Sequence, residues 1–193
     1  MASEVEICNA ALSKIGISGN NRITSLSQNT KNAKACDERY ATLRDLLLEQ
    51  HPWNFALKRV QLAASTEAPS YEFTYAYSLP PDWIRTIAVY DNDAGAGEAA
   101  FRHEGKALVS DAAQLWLKYV MRLTDPNTMP PTFREALATY LAWELAIPLA
   151  NSNRIQEAQG IAFRRTLNLA KFVDARNDRP EQLQSGSWFA ARS

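Results

Sequence analysis

Between Tyr71 and Leu79 the chain alternates without a break: Tyr71, Phe73, Tyr75, Tyr77 and Leu79 stand against Glu72, Thr74, Ala76 and Ser78. A two-residue period places one set on one face of a strand, and no helix can do that. Earlier in the chain the apolar residues follow another rule. Ala33, Cys36, Tyr40, Leu43 and Leu47 advance by threes and fours, the spacing of a helix face. The helical period returns at Thr132, with Leu137, Tyr140, Leu141, Trp143, Leu145 and Ile147. A pattern that passes from helix to strand and back restricts the chain to an α+β fold, mainly α, with its strands grouped in the middle.

The boundaries follow from local chemistry. Ser3-Glu4-Val5-Glu6 is a capping box, and Val5, Cys8, Leu12 and Ile15 follow at helical spacing until Gly16 stops the helix. A polar loop carries Ile23 and Leu26, placed to plug one end of a helix pair. The second helix is expected to open near Ser27 or Asn29 and to close at His51-Pro52, because the residue before proline avoids helical angles. Strands are expected over residues 53–62, 71–79, Trp83–Tyr90, Phe101–Arg102, Lys106–Val109 and 115–123, with His103-Glu104-Gly105 as a hairpin connection. The third helix spans Thr132–Leu149, apolar on several sides, and Pro148 should kink or end it. The fourth covers about Ile155–Ala175, with Ile155, Ala162, Thr166, Leu169 and Val173 as its apolar stripe. This order predicts a four-helix bundle from residues 1–51 and 131–177. A small antiparallel β domain, 52–130, is inserted and projects from one end, and an extended C-terminal tail covers 178–193.

The residues offer little to catalysis. Gly95-Ala96-Gly97-Glu98-Ala99-Ala100 has the spacing of a dinucleotide fingerprint, but a strand rather than a helix is expected after it, so it reads as a hairpin tip. Asp91-Asn92-Asp93 resembles the start of a calcium loop, yet Ala96 and Arg102 occupy the positions that need glycine and glutamate. His51 and His103 are the only histidines, and neither has a positioned partner in sequence. Glu144, set among Leu141, Trp143, Leu145 and Ile147, is the most suggestive acid; an ion pair with Arg154 or Arg164 is the plainer role for it. Cys8 and Cys36 lack metal-ligand spacing and suit helix interiors in a reducing cytoplasm. The first residues are polar and acidic, without the pattern of a signal peptide, and no apolar run approaches a membrane span. No catalytic, cofactor-binding or metal residue is therefore nominated, and the chain is expected not to be an enzyme. The 21 basic and 21 acidic residues cancel and are mixed along the chain, which disfavours a dedicated nucleic-acid binder.

Surface contacts are the remaining lead. Tyr71, Phe73, Tyr75, Tyr77, Trp83, Tyr90, Trp116 and Tyr119 crowd the β segment, where they either fill an aromatic core or meet another chain. Trp188-Phe189 lies in a polar, glycine-containing tail and looks like an anchor for a pocket on a neighbour; folding back onto its own helices is the alternative.

Four stretches carry a resemblance. Glu4–Gly16 resembles the first helix of the phage tail tubular protein A family, the head-to-tail adaptors of short-tailed phages. Ile23-Thr24-Ser25-Leu26 with Ala33, Ala35-Cys36 and Tyr40 is similar to that family's second helix. Arg44–Ala56, with its Gln50-His51-Pro52-Trp53-Asn54-Phe55 centre, is the most specific piece, and Tyr75–Asp82 is typical too. The similarity covers residues 3–149 and weakens beyond. It implies a virion tail protein, assembled in the host cytoplasm, that forms a ring (a dodecamer in the family) between the portal protein and the tail nozzle protein. The genome would pass through its channel without specific binding of DNA, and no membrane is involved. Two alternatives stay open: a neck or completion protein of a long-tailed phage, and a virion-associated peptidoglycan hydrolase, which would need paired carboxylates.

Overall fold

Ser3 sets the first helix in place. Its hydroxyl accepts the Glu6 amide at 3.1 Å, and the Glu6 carboxylate accepts the Ser3 amide at 3.1 Å, so α1 (Glu4–Lys14) begins with the expected capping box. It ends in a Schellman arrangement: the Ile17 amide reaches the Leu12 carbonyl at 2.9 Å, with Gly16 between them at φ +87°, a conformation that favours glycine. The computed structural model describes residues 2–95 and 97–177. The next helix, α2 (Lys31–Glu49), starts later than expected. Thr30 rather than Ser27 or Asn29 is its cap, because Ser25, Ser27 and Gln28 are held in a turn of their own. Ile23 is buried, pinned by Asn9, whose side-chain amide both donates to its carbonyl at 2.8 Å and accepts from its amide at 2.9 Å.

After Pro52 the chain makes a single turn, Asn54–Ala56, and enters β1 (Leu57–Leu62). The strands that follow are β2 (Tyr75–Ser78), β3 (Trp83–Tyr90), β4 (Arg102–Glu104), β5 (Ala107–Ser110) and β6 (Leu115–Met121). They form two three-stranded antiparallel sheets, in the orders β1-β6-β3 and β2-β5-β4. The alternation of 71–79 is therefore only half used. Tyr71 lies 81% exposed, and Glu72 takes φ +72°, which breaks the extended run. Thr74 then bonds through its amide and hydroxyl to the Asp111 carboxylate rather than to a strand. In the β4–β5 hairpin the first strand runs on to Glu104, and Gly105-Lys106 makes the reversal in place of the expected His103-Glu104-Gly105.

The last two helices are α3 (Pro131–Ala150) and α4 (Asn153–Arg176). Pro148 does not end α3; the helix runs to Ala150 and closes at Asn151, a left-handed residue. Pro148 sits in the final turn on an exposed face, where the interruption costs least. Ser152 caps α4. Its buried residues are Gly160, Phe163, Ala170 and Asp174, so the expected stripe is displaced, and Leu169 is 56% exposed.

Two apolar cores result. One gathers Cys8, Leu12, Cys36, Leu47, Trp53, Phe133, Leu137 and Leu141 from the helices, and Val120 from β6 joins it. The other holds Leu62, Tyr77, Val89, Leu108, Leu115, Leu117 and Tyr119. β6 therefore serves both, with alternate residues turned to opposite sides. Cys8 and Cys36 are free, fully buried thiols, and their mutual hydrogen bond, with burial, pushes the Cys8 thiol up. The fold is mixed α and β, as expected.

Two substitutions separate good burial from bad. Trp53 is 1% exposed, its indole N–H donates to the Leu47 carbonyl at 2.8 Å, and its ring meets Phe133 edge-on. Trp53→Ala should cost about 3–5 kcal/mol in urea unfolding. Tyr40 is 2% exposed and its hydroxyl has no hydrogen-bond partner among the described residues. Tyr40→Phe should leave the unfolding midpoint unchanged or raise it, since no satisfied bond is lost.

Candidate interface surfaces

The joint between helices and sheet is built by the segment that carries the most specific sequence resemblance. His51 packs edge-on against Trp53, with ring centroids 4.8 Å apart, and Trp53 in turn packs on Phe55. Asp174, near the end of α4 and 7% exposed, closes the joint. Its two carboxylate oxygens accept the Asn54 amide at 3.2 and 3.1 Å, and the Asn54 side chain donates to the Asp174 carbonyl at 3.0 Å. His51 Nε2 lies 3.4 Å from the same carboxylate. Nothing in the local sequence announces Asp174, which stands 120 residues from its partner Asn54. An apolar helix face interrupted by one aspartate is the only trace of it.

Burial holds the His51 imidazole below its ordinary value of 6.5; the Asp174 charge opposes that shift, while Lys171 and Arg85 add to it. One carboxylate, Asp174, thus holds both the Asn54 amide and the His51 imidazole and ties the chain after Pro52 to α4. His103 is placed differently, exposed in the middle of β4 with Trp83 and Phe101 rings each 5.6 Å away. Glu144 is half-buried and forms neither of the ion pairs expected for it; its charge acts on Tyr140, whose phenol is pushed up first by burial and then by that carboxylate. Arg164 bonds instead to the Gly160 carbonyl at 3.4 Å.

The glycine-rich segment is a return rather than a phosphate loop. Gly95 and Gly97 have φ of +67° and +83°, and the Ala99 amide pairs back to the Val89 carbonyl at 2.9 Å, with no helix following. Asp91 accepts from its neighbour Asn92 at 2.7 Å. Among the described residues no group of three or more His, Cys, Asp or Glu is placed to hold a metal ion, and no helix is long and apolar enough to cross a membrane.

The aromatic crowd divides. Tyr77 and Tyr119 are fully buried, the first donating to the Ala112 carbonyl and the second to Asp82 at 2.9 Å. Lys58 reaches the same aspartate at 2.8 Å, which ties β1, β6 and the Pro80–Asp82 turn together. Tyr90 and Trp116, Cα partners across β3 and β6, instead line an open groove of about 390 Å³ with Arg59, Lys118 and Asp93. So part of the set is core and part faces outward. Trp188 and Phe189, the expected anchor, lie outside the described residues.

Exposed apolar side chains cluster elsewhere. Ile161, Leu169 and Phe172 on α4 are 50%, 56% and 61% exposed, and Leu46 on α2 is 41% exposed.

The joint has a pH signature. Because the folded state holds His51 below 6.5, the unfolded chain binds more protons there as pH falls. Stability should be level above that value and decline as pH drops through it, and His51→Gln should remove that part of the slope in thermal melts. Asp174→Ala strips the Asn54 amide of its acceptor and should cost about 1–3 kcal/mol at neutral pH.

Compared with known proteins, the chain matches no protein-family model and no curated protein significantly.

Proposed function

We propose that this chain is a structural head-to-tail adaptor of a short-tailed phage, forming a ring between portal and tail nozzle through which the genome passes. One observation carries the reading. The stretch with the most specific resemblance to the tail tubular protein A family, Arg44–Ala56, supplies the joint on which helices and sheet are hung, through Trp53, Asn54 and their partner Asp174. A motif that builds a joint carries shape rather than chemistry, which is what a ring part needs.

In this reading residues 1–51 and 131–177 form a four-helix bundle, 52–130 an inserted β domain, and 178–193 an extended C-terminal tail. The neighbours are the portal protein, the tail nozzle protein and further copies of the chain. Trp188 and Phe189 dock on one of them. No catalytic role is assigned. A balanced charge suits a conduit, since each neutralised phosphate would add affinity for DNA that must slide past.

The test is mass in solution, for the purified chain alone and after mixing with the portal ring of the phage that encodes it. The expected outcome is a complex heavier than the portal by a ring's worth of copies. A chain that ignores the portal overturns the proposal, and loss of turbidity in a peptidoglycan suspension would then point to the hydrolase alternative.

A further inference from the structure

α4 carries a line of exposed residues along its full length. Arg154, Arg165 and Arg176 recur every eleven residues, which is three helical turns, and Ala158, Ile161, Leu169 and Phe172 fill the intervals; all seven are exposed. None of the three arginines has a carboxylate partner among the described residues, and Arg176 lies over the Phe172 ring at 5.8 Å. A lone exposed leucine is ordinary, but a continuous apolar line between unpaired cations is a face that another surface can cover.

The complement stands on α2. Glu38 and Glu49 are exposed, have no ion-pair partner among the described residues, and are also eleven residues apart. Between them on the same face lie Thr42 and the 41% exposed Leu46. Asp45 borders this face but is already held by Arg44 and Arg122. Lys31 and Lys34 lie toward the start of the helix, outside the acidic interval. The exposed Arg39 borders the face on the side opposite Asp45, and Arg85 donates to the Glu49 carbonyl, leaving the two glutamate carboxylates as the face's own charges. At 1.5 Å per residue both charge pairs span roughly 16 Å. Arg165 and Arg176 can therefore meet Glu38 and Glu49 while Leu169 and Phe172 cover Leu46, with the helices running in either direction.

The two faces cannot satisfy each other within one chain. α2 and α4 both pack on α3 and meet each other only marginally along their lengths. We propose that the α4 face of one copy binds the α2 face of the next copy. The occupant is a second copy of this chain because the matching acids, at the matching interval, are its own. The contact is heterologous, and such contacts build rings when the rotation between copies closes. Only that closure rests on the adaptor reading; the contact stands on the two faces.

The test reverses the charges on one face at a time. Arg165→Glu with Arg176→Glu makes both faces acidic, and Glu38→Arg with Glu49→Arg makes both basic. Each full-length variant, and the wild type, is followed by sedimentation equilibrium up to millimolar concentration, with circular dichroism and melting temperature to verify folding. The expected result is concentration-dependent association of the wild type, weakened about tenfold or more in either variant. Mixing the two variants in equal amounts should restore it, since each then offers the other an opposite face. Wild-type protein that stays monomeric, variants that associate like wild type, or a mixture that fails to recover would each overturn the contact. If association recovers in the mixture but portal binding is absent, the contact stands and the adaptor reading falls.

Discussion

The three other helices of this molecule all lean on α3. Its residues Phe133, Leu137, Leu141 and Leu145 are buried with the interiors of α1 and α2, while Tyr140 and Trp143 stack on Phe163 of α4. Thr139 and Thr166 share a hydrogen bond of 2.8 Å across the same seam. A helix apolar on several sides has to be enclosed, and enclosing this one assigns the other three their places. The packing with α4 is close: a side chain at Gly160 would meet the Trp143 indole at 3.2 Å. The arrangement also leaves α4 a single packed side, and its far side is left to the solvent or to another molecule.

Legibility in the sequence followed the range of the forces involved. Capping is local, so Ser3 and Gly16 could be read, and so could Pro52 as a stop. The β3 boundaries at Trp83 and Tyr90 were legible because a proline turn and regular spacing frame them. Tyr71 and Phe73 misled, since alternation records only that a segment could be a strand. Whether it becomes one depends on a partner edge, and Asp111 claims Thr74 first.

The interface features are harder for the same reason. Asp174 gains meaning only beside Asn54, and the residues on α4 that looked like a buried stripe were shifted by a fraction of a turn, which put Leu169 outside. Periodicity finds a helix with apolar residues but not which of two apolar lines faces inward; Phe163 took the core by stacking on Tyr140 and Trp143, and Ala170 by lying beside Trp53, Phe55 and Phe133. The ion pairs expected for Glu144 are absent, and its half-buried side chain keeps access to water instead.

The dependence on α3 also governs how the chain can be made. α1 and α2 touch each other only sparsely, and their inward residues find cover chiefly on a helix that begins at Pro131. During synthesis the ribosome must add the whole stretch from Gln50 to Pro130 before that helix exists, a delay on the order of ten seconds. Through that interval Ile7, Leu12, Leu43 and Leu47 have emerged without their shelter. The helical core can therefore close only once α3 has been made, long after the two helices it covers.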